Sequence, residues 1–154
     1  GKHYGEHRLD SKNTFYEEAV RVPFAIRYPP LIPNPYTDNH IIANIDIAPT
    51  IYELAGLPIP ATVDGLSLTA LFKPEAAWRE GVLLEGWPPR AAYTEIHTER
   101  YVYAETVDDI AELYDLETDP YELTNLAEDP AYQEIKTHLK SLLDQEIKNS
   151  SRPQ

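Results

Sequence analysis

The residues best suited to chemistry lie close to the start of the chain: His3, Glu6, His7, Lys12, Glu17 and Glu18. His3 and His7 are four positions apart, a spacing that on a helix puts two imidazoles on one face and suits a metal pair. Gly1 and Gly5 argue instead for a loop, because glycine is costly inside a helix. Glu6 can orient such a histidine or cap the loop. Glu17-Glu18 offers two carboxylates for acid–base work, but helical neighbours point about 100° apart, so at most one faces a given site. A helix-surface role, or pairing with Arg21, fits better. His97, beside Thr98 and Arg100, is a candidate to reach a ligand from the second half, whereas His40 and His138 read as surface residues.

Charge narrows where an anion would be handled. The chain has 154 residues, 13 Lys plus Arg and 26 Asp plus Glu, a net charge of −13. That balance disfavours broad attraction to a nucleic-acid backbone or an anionic membrane. No run approaches the roughly 20 apolar residues of a spanning helix. Residues 1–30 run against the trend, with five bases, among them Lys12, against four acids. Residues 99–129 carry eleven acids and a single base, Arg100, and read as a solvated acidic surface. With no Cys there is no disulfide framework, thiolate metal site or Cys nucleophile. With no Met, and no basic-then-apolar opening, the sequence is expected to be a portion of a longer chain.

The elements that must position these residues fall into two regions. A short helix is expected over 13–20 and an edge strand over 22–28, where Val22, Phe24 and Ile26 alternate with other residues and Pro23 restricts pairing. A proline-rich loop leads to a helix over 46–55, with Asp46 as cap, Pro49 in the first turn, Gly56 as stop and Ile47, Ile51 and Leu54 as buried stripe. Asp64-Gly65 signals a turn, and Lys73-Pro74 a break. From about residue 80 short strands are expected at 82–87, 92–98, 101–106 and 112–116, joined as an antiparallel meander. Asp115, Asp119 and Asn125 read as turn and cap residues. Asp129-Pro130 opens a helix whose Tyr132, Ile135, Leu139, Leu142, Leu143 and Ile147 recur at three- and four-residue spacing. One helix on one small sheet makes a two-layer unit; the polar tail 149–154 is expected to fray.

Three stretches resemble the formylglycine-dependent sulfatases of the alkaline phosphatase superfamily. The first is Gly1-Lys2-His3-Tyr4-Gly5-Glu6-His7 continuing through Lys12 to Tyr16-Glu17-Glu18 and Arg21-Val22-Pro23-Phe24. The second is Asp46-Ile47-Ala48-Pro49-Thr50-Ile51 with Leu54-Ala55-Gly56 and Asp64-Gly65-Leu66-Ser67-Leu68. The third is Glu112-Leu113-Tyr114-Asp115-Leu116, Asp119-Pro120, Glu122 and Asn125-Leu126-Ala127. Together, in order and over nearly the whole chain, they form a specific pattern.

The resemblance implies an α/β fold in which residues 1–78 complete the edge of a large catalytic domain. Residues 79–154 would form a C-terminal subdomain of antiparallel sheet on a long helix. It implies hydrolysis of a sulfate monoester, with a hydrated aldehyde attacking sulfur and calcium or another divalent cation polarising the sulfate oxygens. The register from Gly5-Glu6-His7 places Lys12 on the family's sulfate-binding lysine, where an ammonium favours the charge that develops as the S–O bond breaks. His3 and His7 would contact substrate or support the pocket nearby. No metal ligand is expected within the chain: the metal motif would directly precede Gly1. The Cys/Ser-x-Pro-x-Arg source of formylglycine is likewise absent from these residues, so the chain alone is expected to be inactive. The implied partners are a sulfated small molecule or carbohydrate and the preceding part of the same protein. A phosphonate or phosphodiester hydrolase of the same superfamily, or a non-catalytic module, is the alternative.

Overall fold

The computed structural model describes residues 1–73, 76–88 and 91–150; Pro74 and the end of the tail lie outside the described residues. The chain divides into two compact units, one of residues 1–24 with 81–154 and one of residues 25–80.

The first unit is built on a four-stranded antiparallel meander: β3 (Gly81–Gly86), β4 (Tyr93–Thr98), β5 (Tyr101–Thr106) and β6 (Glu112–Asp115), in sequence order. Register aligns Leu83 with Ile96, Ile96 with Tyr103 and Tyr103 with Leu113. Because strand side chains alternate between faces, this row lies on one side of the sheet, and there it meets Ala127, Leu139 and Leu143 in one core. The long helix α3 (Gln133–Ser150) supplies the leucines. It follows a 3-10 turn, Pro130–Tyr132, whose entry Asp129 caps by accepting from the Ala131 amide at 2.8 Å, as the Asp-Pro signal predicts. Between β4 and β5 the Thr98 hydroxyl closes the link, accepting from the Tyr101 amide at 2.8 Å and donating to its carbonyl at 2.9 Å.

The opposite face of the sheet is buried too, which a two-layer reading does not anticipate. Tyr93, Val102, Ala104 and Tyr114 form a second core with Phe15, flanked by Tyr16. The N-terminal segment is thus a third layer. It starts as a small hairpin of β1 (His3–Tyr4) and β2 (Asp10–Ser11), with His3 opposite Ser11. It ends in α1 (Glu17–Val20), a single turn shorter than the helix expected over 13–20, because Ser11 and Asn13 take left-handed backbone angles. The acidic half is correspondingly less solvated than its composition suggests: Asp115 and Glu122 are buried.

In the second unit α2 (Ile47–Leu54) ends at Gly56, whose φ of 68° gives the left-handed stop that glycine adopts most readily. The expected buried stripe is not realised: Ile47 and Ile51 are exposed, Ile51 at 61%, while Pro49 and Thr50 are buried. The helix turns its polar-ringed side inward because Thr50 accepts from the Leu68 amide at 2.8 Å and donates to the Asp46 carbonyl at 2.6 Å. Residues 21–28 form no strand. Pro23 offers no N–H, no described strand runs beside them, and Val22 and Phe24 remain exposed.

Asp46 stands at the N-cap position of α2, but its side chain caps no amide of that helix. It is fully buried and ties three segments: one carboxylate oxygen accepts from the Ala43 amide and the other from the Leu66 amide, each at 2.8 Å, and the second also pairs with Arg79. Gly65, at φ 86°, lets the turn come close, since a Cβ there would lie 2.5 Å from the Ile45 carbonyl oxygen. No described helix is long and apolar enough to cross a membrane.

Candidate functional site

The N-terminal segment gathers the sequence-singled residues into one place. Gly5, and left-handed His7 and Arg8, fold residues 5–8 into an irregular turn, so His3 and His7 do not share a helix face. Their rings nevertheless meet edge to face at 5.9 Å between centroids. Glu6 caps this loop by accepting from the Tyr4 amide, and that bond holds its carboxyl below the usual carboxylate range. Lys12 is exposed, on a bend between left-handed Ser11 and Asn13. The bend is pinned from below: His3, fully buried, bonds Thr14 through Nε2 at 2.7 Å, and its Nδ1 has no hydrogen-bond partner.

Beneath that loop lies a nest of ionisable groups. His7 stacks on Tyr16 at 3.8 Å and faces Glu18, with 3.6 Å from Nε2 to Oε2. The Tyr16 hydroxyl donates to Glu112 at 3.1 Å; burial and the Glu112 charge both raise the phenol. From the sheet, His97 reaches Glu95 through Nδ1 at 2.7 Å and Glu17 through Nε2 at 3.3 Å. Burial opposes its charge, but Glu17 and Glu95 outweigh that and push His97 up to about 10. Burial also opposes the charge of Glu17, yet bonds to His97 and Arg21 hold it low. Glu95, fully buried, is raised because burial outweighs its imidazole partner. His97 is therefore locked inside the protein and presents no face to a ligand, while Glu17 makes the expected pair with Arg21 at 2.9 Å.

Glu122 completes the nest and was not singled out as a site residue by sequence. It is only 1% exposed, sits at a left-handed φ of 51°, and accepts from the Glu17 amide at 2.7 Å through one oxygen. Its other oxygen has no hydrogen-bond partner, nor does Oε2 of Glu18. Burial raises the Glu122 carboxyl to about 8. Ligand atoms of His7, Glu18 and Glu122 all lie within 4.8 Å of one another. Contrary to the expectation drawn from neighbouring positions on a helix, both Glu17 and Glu18 point into this nest, one toward each histidine, because α1 lies along it.

Two groups implied by the family resemblance find no seat here. Calcium prefers all-oxygen ligands, and a donor set containing imidazole does not fit it. No residue of the chain has the context from which formylglycine is made.

Comparison with known proteins accounts for this partial equipment. A family model described as "N-sulphoglucosamine sulphohydrolase, C-terminal" matches residues 5–149. An N-acetylglucosamine-6-O-sulfatase of Bacteroides thetaiotaomicron is 31% identical over 152 residues, covering 92% of this chain and 27% of the relative. A solved structure in complex with its substrate D-glucosamine-2-N,6-O-disulfate superposes with a TM-score of 0.81 at 28% identity, covering 96% of this chain and 32% of that one. The phosphonate monoester hydrolase of Agrobacterium radiobacter is more distant in shape, with a TM-score of 0.54 at 28% identity over 67% of this chain and 24% of its own. The chain spans about a third or less of the length of the curated relatives it matches. The fold is the α/β fold of the sulfatases, with the four-stranded sheet and long helix of their C-terminal part. The chain belongs to the sulfatases, in the family of N-sulphoglucosamine sulphohydrolase C-terminal regions.

Proposed function

We propose that this chain is the C-terminal part of a sulfatase that hydrolyses sulfate monoesters to an alcohol and inorganic sulfate, with Lys12 as its contribution to the active site. The observation that carries the reading is the family match over residues 5–149; the exposure of Lys12, on a bend next to the His3–Thr14 bond, supports the role that the resemblance implies for it. An ammonium held there stabilises the negative charge growing on the bridging oxygen, an interaction stronger in the transition state than in the ground state. His3 and His7 act beside it as supports of the loop, His3 through Thr14 and His7 through its stack on Tyr16. The aldehyde nucleophile and a calcium that would polarise the sulfate would come from the rest of the parent protein. In this reading residues 1–78 contribute to the catalytic domain and 79–154 form its C-terminal subdomain, on whose sheet the segment 1–24 packs.

A sulfated carbohydrate is the substrate class we favour, on the strength of the named relatives. The exposed Ile47 and Ile51 of α2 suit packing against the remainder of such a domain. The similarity to a phosphonate monoester hydrolase supports a second reading on the same scaffold. Turnover of an aryl sulfate against an aryl phosphonate monoester by the full-length protein separates the two. Preference for the phosphonate overturns the sulfatase reading, and absence of turnover of either favours a non-catalytic module.

A further inference from the structure

The nest beneath the Lys12 loop gathers more carboxyl groups than it has cations to pair them with. Glu17, Glu18, Glu95 and Glu122 converge on it, while Arg21 pairs with Glu17 and His97 lies between Glu17 and Glu95. Glu122 feels His97 only through its charge, and Glu18 faces His7 at 3.6 Å. That distance is too long for a hydrogen bond. It is close to the roughly 3.3 Å that separates two ligands of a tetrahedral ion bound at about 2.0–2.1 Å. One oxygen of Glu122 and one of Glu18 are buried with no hydrogen-bond partner, an arrangement that is costly unless something bonds to them.

We propose that His7, Glu18 and Glu122 bind a first-row divalent cation, zinc or manganese, that clamps the Lys12 loop and α1 to the turn following β6. The donor chemistry selects the ion: one imidazole with two carboxylates suits zinc or manganese, whereas calcium favours oxygen alone. The three ligands come from three separate segments, so the ion would fix the position of the loop relative to the sheet. The second oxygen of Glu122 is already held by the Glu17 amide at 2.7 Å, which orients the carboxylate as partners behind a metal ligand do. The inference does not rest on the sulfatase reading.

The test uses the full-length protein, chelated and then kept in calcium so that any oxygen-ligand centre stays filled. Titration with zinc, and separately with manganese, followed by elemental mass spectrometry after desalting, is expected to show one tightly held equivalent of one of these ions. Glu122→Gln and Glu18→Gln are expected to weaken that uptake at least tenfold, and cobalt substitution to give visible d–d absorption in the wild type that both variants lose. Glu18 is only half-buried, so its variant keeps the test decisive where Glu122→Gln fails to fold. Failure of the wild type to retain either ion, or equal retention by folded Glu18→Gln, overturns the proposal.

Discussion

Asp46→Asn tests the tie at the centre of the second unit. The substitution keeps the shape and removes the charge, so packing changes little and the hydrogen bonds change a great deal. Oδ1 serves the Leu66 amide and Arg79, and Oδ2 serves the Ala43 amide. Whichever way an asparagine turns, its NH2 faces a donor. The less damaging choice gives up Ala43, leaving a buried N–H unmet at about 1–3 kcal/mol. The other loss is the charge opposite Arg79, whose side chain is mostly buried; breaking a buried pair outright costs about 3–5 kcal/mol, and retention of one oxygen on Arg79 softens this. A net loss of about 3 kcal/mol in local stability follows, or about two orders of magnitude in the opening equilibrium. Amide hydrogen exchange on peptides covering 41–48 and 62–70 reads this directly, and both should exchange about a hundredfold faster. Glu53→Gln, which weakens only exposed hydroxyl bonds from Ser67 and Thr69, serves as the control and should leave both peptides within about twofold of wild type. Equal protection in Asp46→Asn and wild type would refute the assignment of Asp46 as the tie.

Lys12→Ala in the full-length protein should lower kcat/KM for a sulfate ester about 10²- to 10³-fold with an unchanged melting temperature, since Lys12 is exposed; a loss below threefold would remove it from the active site. Leu143→Ala, at a fully buried position between α3 and the sheet, should cost about 2–5 kcal/mol by urea denaturation, and half-buried Leu142→Ala clearly less. Arg100 forms a two-armed pair with buried Asp115, at 3.0 and 2.8 Å, and holds that carboxyl below its ordinary value. A depressed carboxyl contributes stability above its unfolded pKa of about 3.9 that is lost as pH falls through the lower folded value. The difference in urea midpoint between wild type and Arg100→Ala should therefore be present at pH 7 and shrink below about pH 4; a difference constant from pH 7 to pH 2.5 would contradict this.

The C-terminal sheet and helix were legible because their signals are local. Alternation in Tyr93 to Thr98 and Tyr101 to Thr106, with only Glu99-Arg100 between, leaves little choice but a hairpin. Asp129-Pro130 and the stripe of Leu139 and Leu143 announce a capped amphipathic helix in the same way. The sequence marks Asp46 as the N-cap of the helix over 46–55, a position it holds, but not what its side chain does. Two of its side chain's three partners, Leu66 and Arg79, are 20 and 33 positions away, where no local rule reaches. The strand expected over 22–28 failed for a related reason: alternation marks a chain fit to pair, but pairing needs a neighbour.

The site was legible only where the resemblance reached, and the rest was hidden by a property of β4 itself. Glu95 and His97 lie two apart, on the face opposite Ile96, and polar residues at alternate positions ordinarily mean a face turned to water. Here the same alternation serves two buried faces, one apolar against α3 and one ionic against the N-terminal segment. The ionic face is stable only because its charges are matched across segments far apart in sequence: Glu17 by Arg21 and His97, Glu95 by His97. Glu18 and Glu122 are matched less closely, Glu18 by His7 at 3.6 Å and Glu122 by the charge of His97. A sequence can show that eleven acids lie between 99 and 129, but only the fold shows that Glu122 has been drawn beneath His7 and Glu18. Burial raises the Glu122 carboxyl to about 8, so the proposed ion would displace its proton as it satisfies the two unpartnered oxygens.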